Sequence, residues 1–261
     1  MVAKADDDAA LLRAAVREAG ALAMTHFNTS LKSWDKLPGD PVSEADLAID
    51  RLLHERLMGA RPSYGWLSEE TVDDVSRLQR AKVWIVDPID GTRAFIQQRP
   101  EFCVSVALVN GGEPILAAVF NPATEEYFFA TKDAGAELNG QPIRASTRDS
   151  LKGARFMGAK KAFERHGWMA KAPGAVFDYK NSIAYRMALV ACGAFDAAVS
   201  LGEKSDWDVA AADLIVREAG GMVTTPAGKR LYYNRDKTRH GDLLAAAPGV
   251  HEPLMELLKQ R

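Results

Sequence analysis

Apolar residues recur at helical spacing over residues 9–27, where Leu12, Ala15, Val16 and Ala19 share one face. They recur again after Ser43-Glu44-Ala45-Asp46, where Ile49, Leu52, Leu53 and Leu57 line the apolar side of a second helix. The stretch 32–41 between them is turn-rich. The period then shortens. Residues 64–67 and 83–86 read as short buried strands, and 103–109, 115–120 and 127–130 as further strands. Asn139-Gly140 is a strong hairpin turn. From about residue 150 strands and helices alternate, with strands over 155–158, 175–179, 195–201 and 243–247. The matching helices run over 161–170, 183–192, 209–219 and 253–259, the third ended by Gly220-Gly221. The pattern predicts an α+β half over 1–150 and an α/β half over 151–261, closely packed, with acidic residues at their junction.

Composition narrows the function. The chain has 261 residues, 47% hydrophobic and 26% charged, an ordinary balance for a soluble enzyme. Its net charge of −2 supplies no global basic field to recruit nucleic acid or an anionic membrane. An anionic substrate must therefore be drawn in locally. Cys103 and Cys192 stand in apolar contexts without metal-ligand spacing and read as reduced core residues. The start, Met1 to Asp8, is acidic, with no apolar signal region behind it, and no run nears the ~20 apolar residues of a membrane span. A cytoplasmic protein is the expectation.

The most informative chemistry is Asp87-Pro88-Ile89-Asp90-Gly91-Thr92, directly after the 83–86 strand. Two carboxylates just past a buried strand suit a hard cation such as Mg²⁺. Gly91 and Thr92 then offer backbone N–H groups and a hydroxyl where a helix begins, a setting that receives phosphate. Glu69-Glu70 follows another strand, and Asp208 follows Trp207 at a helix start. Two-metal hydrolysis needs such a set. Each also has a plainer reading: Glu69-Glu70 as a solvated turn and Asp208 as a helix cap. Asp46 completes a Ser43-x-x-Asp46 capping box, a role compatible with polarising a neighbouring hydroxyl. The five histidines are scattered, and neither a Gly-x-Ser-x-Gly elbow nor a P-loop is present. Aspartyl-phosphate phosphatases carry Asp-x-Asp-Gly-Thr; the extra residue here puts Pro88 where their nucleophile stands, so water must attack.

Together these residues resemble the inositol monophosphatase superfamily of metal-dependent, lithium-sensitive phosphatases. Asp-Pro-Ile-Asp-Gly-Thr stands whole at 87–92, Glu-Glu at 69–70, and Trp-Asp-x-Ala-Ala through Glu-Ala-Gly-Gly at 207–221. The upstream Pro-Val-Thr-Glu-Ala-Asp appears with Ser43 in place of Thr. The resemblance implies a layered αβαβα sandwich, commonly a homodimer. It implies that Glu69, Asp87 and the Ile89 carbonyl hold one magnesium ion and Asp87, Asp90 and Asp208 a second, with a third, weaker one near Glu69. Gly91 and Thr92 would bind phosphate, and Thr92, supported by Asp46, would help deprotonate the attacking water.

The substrate is less legible. Inositol-specific members place an acid seven positions before the last aspartate, where this chain has Leu201. The segment Leu201 to Asp208 is more similar to the CysQ-type 3′(2′),5′-bisphosphate nucleotidases, which act on 3′-phosphoadenosine 5′-phosphate. That substrate is the leading expectation, with inositol 1-phosphate or histidinol phosphate as alternatives. Lys204 would meet a second phosphate or stay solvated, Arg93 would anchor phosphate or face solvent, and Ser182 would contact substrate. Arg186 is a weaker candidate. A non-catalytic module that binds metal and phosphate is the remaining reading, against which the complete ligand set argues.

Overall fold

The computed structural model describes residues 2–260, with side chains described from Asp7 onward; Met1, the first residue of the acidic start, lies outside them. Helix α1 (Val2–His26) leads into a hairpin of β1 (Ser33–Leu37) and β2 (Asp40–Ser43), then α2 (Glu44–Ala60). The segment expected to be turn-rich is thus mostly a hairpin. Next come β3 (Gly65–Ser68), β4 (Lys82–Asp90), α3 (Thr92–Ile96), β5 (Cys103–Asn110) and β6 (Glu113–Asn121). Strands β7 (Glu126–Thr131), β8 (Gly135–Leu138) and β9 (Gln141–Pro142) complete a seven-stranded sheet in sequence order from β3. Within this sheet, among the described residues, only β3 and β4 pair in parallel. Asn139 and Gly140, at φ of 51° and 79°, make the turn between β8 and β9 as expected.

The chain then forms β10 (Arg155–Met157), α4 (Lys160–Arg165), β11 (Val176–Asp178), α5 (Ile183–Ala191), β12 (Ala197–Ser200) and β13 (Lys204–Ser205). It ends with α6 (Asp206–Glu218), β14 (Met222–Thr224), β15 (Arg239–His240), β16 (Leu243–Ala246) and α7 (Pro248–Leu258). A second sheet has the order β11-β10-β12-β16-β14, while β13 and β15 pair separately. The helix expected over 161–170 is split. It stops at His166, and Gly167, at a φ of 69°, turns the chain into a short 3₁₀ segment. The last helix begins at Pro248 rather than at 253, because a proline in the first turn lacks only an N–H that has no helical partner there.

Side-chain alternation along β4 explains the layering. Trp84 and Val86 enter a core with α1 and α2, whereas Val83 and Ile85 enter a core shared with α5, α6 and the second sheet. Every residue of α5 is buried between the two sheets, and α7 covers the far face of the second through Val250, Leu254 and Leu257. The result is the layered αβαβα sandwich that the sequence implies. Among the described residues no helix is long and apolar enough to cross a membrane.

Candidate active site

The acidic pair lies within β4, not beyond it, which corrects the sequence expectation. Residues three apart on a regular strand point to opposite faces. Here Asp87 pairs with Ser105 and Asp90 with Cys103, so three steps on β4 match two on β5. This bulge adds one residue and resets the alternation. Ile89 consequently packs with the α1–α2 core, and Asp90 turns to the same side as Asp87. Pro88 suits the bulge, where a missing backbone donor costs no ladder bond. Oxygens of Asp87, Asp90 and Asp208 lie within 4.8 Å of one another.

Asp208 arrives on the first turn of α6. Its Oδ2 accepts the Ser205 N–H at 2.5 Å in a capping box. Asp46 repeats the device on α2: its Oδ2 accepts the Ser43 N–H at 2.8 Å, and its Oδ1 accepts the Thr92 hydroxyl at 2.9 Å. The two roles left open by the sequence are both filled, one oxygen for each. Thr92 Oγ1 is also 2.9 Å from the Ile89 carbonyl oxygen. The start of α6 is itself anchored, since buried Asp206 accepts the Asn234 N–H at 2.7 Å and pairs with His240 Nε2 at 2.7 Å.

Crowding like charges out of water makes ionisation costly. Burial, then repulsion from Glu69, Asp90 and Asp208, holds Asp87 well above the usual carboxylate range. Burial and Asp208 push Asp90 to about 7. Burial pushes Asp208 to about 6, against the Ser205 hydrogen bond, and pushes Asp46 to about 6, against hydrogen bonds from Ser43 and Thr92. Among the described residues Asp87 Oδ1 is buried with no hydrogen-bond partner. An orphaned oxygen in a cluster of hard donors fits a divalent cation, whose charge would reverse these shifts.

Glu69 lines the same cleft, but its Oε1 pairs with Lys36 at 2.9 Å, as does Glu70 Oε1. Lys36 went unnoticed in the sequence because it sits in the β1–β2 hairpin, with no spacing to mark it. Gly91 is required locally. Its φ is 99°, and a Cβ there would lie 2.8 Å from the Glu101 carbonyl oxygen. Ser182 corrects another expectation. It is fully buried, caps α5 by accepting the Tyr185 N–H, and donates to Asp90 Oδ2 at 2.6 Å. The Ala184 N–H donates to the same oxygen at 2.6 Å, so Ser182 positions Asp90 and does not reach into the cleft.

Arg93 is exposed at the rim and donates to the Gly39 carbonyl at 2.6 Å, tying the hairpin to α3. Lys204 lines the cleft, and its ammonium donates to the Glu203 carbonyl at 3.1 Å. Arg186, read as a weak candidate, is buried in the cleft floor. The cleft encloses about 260 Å³.

Such a site, on such a fold, has known counterparts. The family model described as "Inositol monophosphatase family" matches residues 5–261. An inositol-1-monophosphatase of Rhizobium meliloti is 38% identical over 203 residues, covering 74% of this chain and 75% of the relative. The Nus factor SuhB of Xylella fastidiosa is 36% identical, covering 80% of this chain and 78% of its own. The solved SuhB structure from Bartonella henselae superposes with a TM-score of 0.82 at 28% identity, covering 96% of this chain and 97% of that one. These relatives carry the names of inositol monophosphatases and SuhB proteins rather than of bisphosphate nucleotidases, so they support the family and not the nucleotidase branch expected from the sequence. With the carboxylate cluster on β4 and α6, the match along nearly the whole chain makes this protein a metal-dependent phosphatase of the inositol monophosphatase family.

Proposed function

We propose that this enzyme hydrolyses phosphate monoesters of small alcohols, inositol 1-phosphate among them, with two magnesium ions and a third, weaker one near Glu69. The observation that carries the reading is the convergence of Asp87, Asp90 and Asp208 around the orphaned Asp87 Oδ1. Names of relatives support inositol 1-phosphate ahead of 3′-phosphoadenosine 5′-phosphate. The cleft's volume, at the small end for ligand sites, supports a compact ester.

Asp87, Asp90 and Asp208 would hold magnesium, with the Ile89 carbonyl and, once Lys36 moves away, Glu69 completing the set. Bound there, magnesium supplies Lewis acidity: it lowers the pKa of water and neutralises phosphoryl charge. Gly91 and Thr92 present the start of α3 to phosphate oxygens. Asp46 Oδ1 accepts the Thr92 proton, which turns a lone pair of Thr92 Oγ1 outward to take a proton from the attacking water. Arg93 closes the rim. Cytoplasmic residence, lithium inhibition and a homodimer complete the reading and rest on the family resemblance.

The test is inorganic phosphate release from inositol 1-phosphate, histidinol phosphate and 3′-phosphoadenosine 5′-phosphate, each with Mg²⁺, with EDTA and with Li⁺. Mg²⁺-dependent release from inositol 1-phosphate is expected. Release that persists in EDTA, or release from none of the three, would overturn the reading.

A further inference from the structure

Helix α2 carries two buried carboxylates four residues apart, Asp46 and Asp50. Asp46 serves Thr92 and the start of its own helix. Asp50 serves neither. It lies in the second turn of α2, beyond the first turn where the helix dipole favours an acid. A like charge four residues before it weakens a helix further. Among the described residues it forms no ion pair, although only 8% of it is exposed. Burying an unpaired carboxylate is costly, so its place calls for a reason outside α2.

That reason is the turn after β3. Asp50 Oδ1 accepts the Ser68 hydroxyl at 2.5 Å, and its Oδ2 accepts the Thr71 hydroxyl at 2.7 Å. Those two residues bracket Glu69 and Glu70. Ser68 Oγ in turn accepts the Glu70 N–H at 3.4 Å. On the other side, the Glu69 N–H donates at 3.2 Å to the carbonyl of Val86, the residue before Asp87. The turn is thus held to β4 by its backbone and to α2 by two hydroxyls. Glu69 and Asp87 repel one another, so with the backbone bond alone Glu69 would swing away from the cleft.

We propose that Asp50 is a positioning residue for the metal site: through Ser68 and Thr71 it keeps Glu69 facing the cleft against the repulsion of Asp87, and so sets the affinity for magnesium on the Glu69 side. The proposal rests on the metal reading given above and deepens it. One helix then registers both ends of the site, Asp46 through Thr92 and Asp50 through the Glu69–Glu70 turn.

The test is calorimetric titration of the whole chain with Mg²⁺ alone, in wild type, Asp50→Asn, Thr71→Val, Thr71→Ser and Glu69→Gln. Glu69→Gln marks the binding that Glu69 supplies. Thr71→Val keeps the shape of the side chain and every charge in place, so it answers even where Asp50→Asn folds poorly. Asp50→Asn and Thr71→Val should each weaken that binding about tenfold, the low end for partners of metal ligands. Binding at Asp87, Asp90 and Asp208 should stay unchanged. Thr71→Ser should bind as wild type does, and the double variant Asp50→Asn/Thr71→Val should be little worse than either single one. Phosphate release at saturating Mg²⁺ should return to near the wild-type rate. Wild-type affinity in Thr71→Val and Asp50→Asn, with the loss confined to Glu69→Gln, would overturn the positioning role and leave the metal reading intact, whether or not the two variants melt lower. Equal binding in Glu69→Gln and wild type would show that Glu69 holds no ion, and would remove both the metal reading at Glu69 and the positioning role.

Discussion

Thr92 Oγ1 lies 2.9 Å from Asp46 Oδ1, the one oxygen of that carboxylate not spent on capping α2. One side chain thus fixes a helix start and orients a hydroxyl at the mouth of the cleft. Thr92→Val should lower kcat by about 100-fold or more, the usual worth of a positioned proton acceptor, with KM little changed. Thr92→Ser should restore most of the rate. Asp46→Asn should lower kcat too, and the double variant should be little worse than either single one, because the two act as a unit. A wild-type rate in Thr92→Val would remove Thr92 from the proton path.

The Asp87 carboxylate is expensive without a cation. Added Mg²⁺ should therefore raise the melting temperature of the wild-type protein in a concentration-dependent way, as a ligand that binds only the folded state does. Asp87→Asn should abolish turnover and the Mg²⁺-dependent shift together, while melting no lower than wild type in EDTA. Thermal melts with and without Mg²⁺ read both. A shift that survives in Asp87→Asn would place the cation elsewhere.

Stability without metal should fall as pH rises, opposite to the usual trend for salt-bridged carboxylates. Asp46 and Asp208 are raised from 3.8 to about 6 and Asp90 to about 7. Between those limits the folded state binds more protons than the unfolded one, so unfolding becomes easier with each increment of pH. The stability is fully present below about 4 and fully lost above about 7. Mg²⁺ should flatten the profile, because it stabilises the ionised forms. Denaturant titrations at several pH values, in EDTA and in Mg²⁺, measure the slopes. A rising slope in EDTA would show that these carboxylates are already compensated.

The carboxylate motifs were legible because their chemistry is written in short, local patterns. Ser43-x-x-Asp46 announces a capping box, and the structure adds that the second oxygen of Asp46 is left for Thr92; Asp208, whose plainer reading was a helix cap, stands instead at the third position of a second box that Ser205 opens. The bulge was not legible. Pro88 interrupts the apolar run and looks like a strand end, whereas pairing with β5 carries the strand on to Asp90. The inward turn of Ser182 and the burial of Arg186 were not legible either, because both depend on α5 being buried between two sheets, a long-range fact that no neighbour in the sequence encodes. Lys36 is set by where a hairpin folds back over Glu69 and Glu70, and helical or strand periodicity carries no trace of that.

Ser182 separates a residue that holds the metal site from one that holds the substrate. Its hydroxyl donates to Asp90 Oδ2 and accepts the Tyr185 N–H, so it joins the β4 bulge to the start of α5. Ser182→Ala removes both interactions and should cost about 1 kcal/mol from the lost cap, with a further cost for the buried Asp90 oxygen. The functional signature should be a rise in the Mg²⁺ concentration needed for half-maximal activity, roughly 10- to 100-fold as for partners of metal ligands. KM for the ester at saturating Mg²⁺ should hardly move, because the hydroxyl is sealed from the cleft. Ser182→Thr, which keeps the hydroxyl, should recover the Mg²⁺ dependence where Ala does not. If Ala instead raises KM for the ester and leaves Mg²⁺ activation unchanged, Ser182 touches substrate and the positioning role assigned to it is wrong.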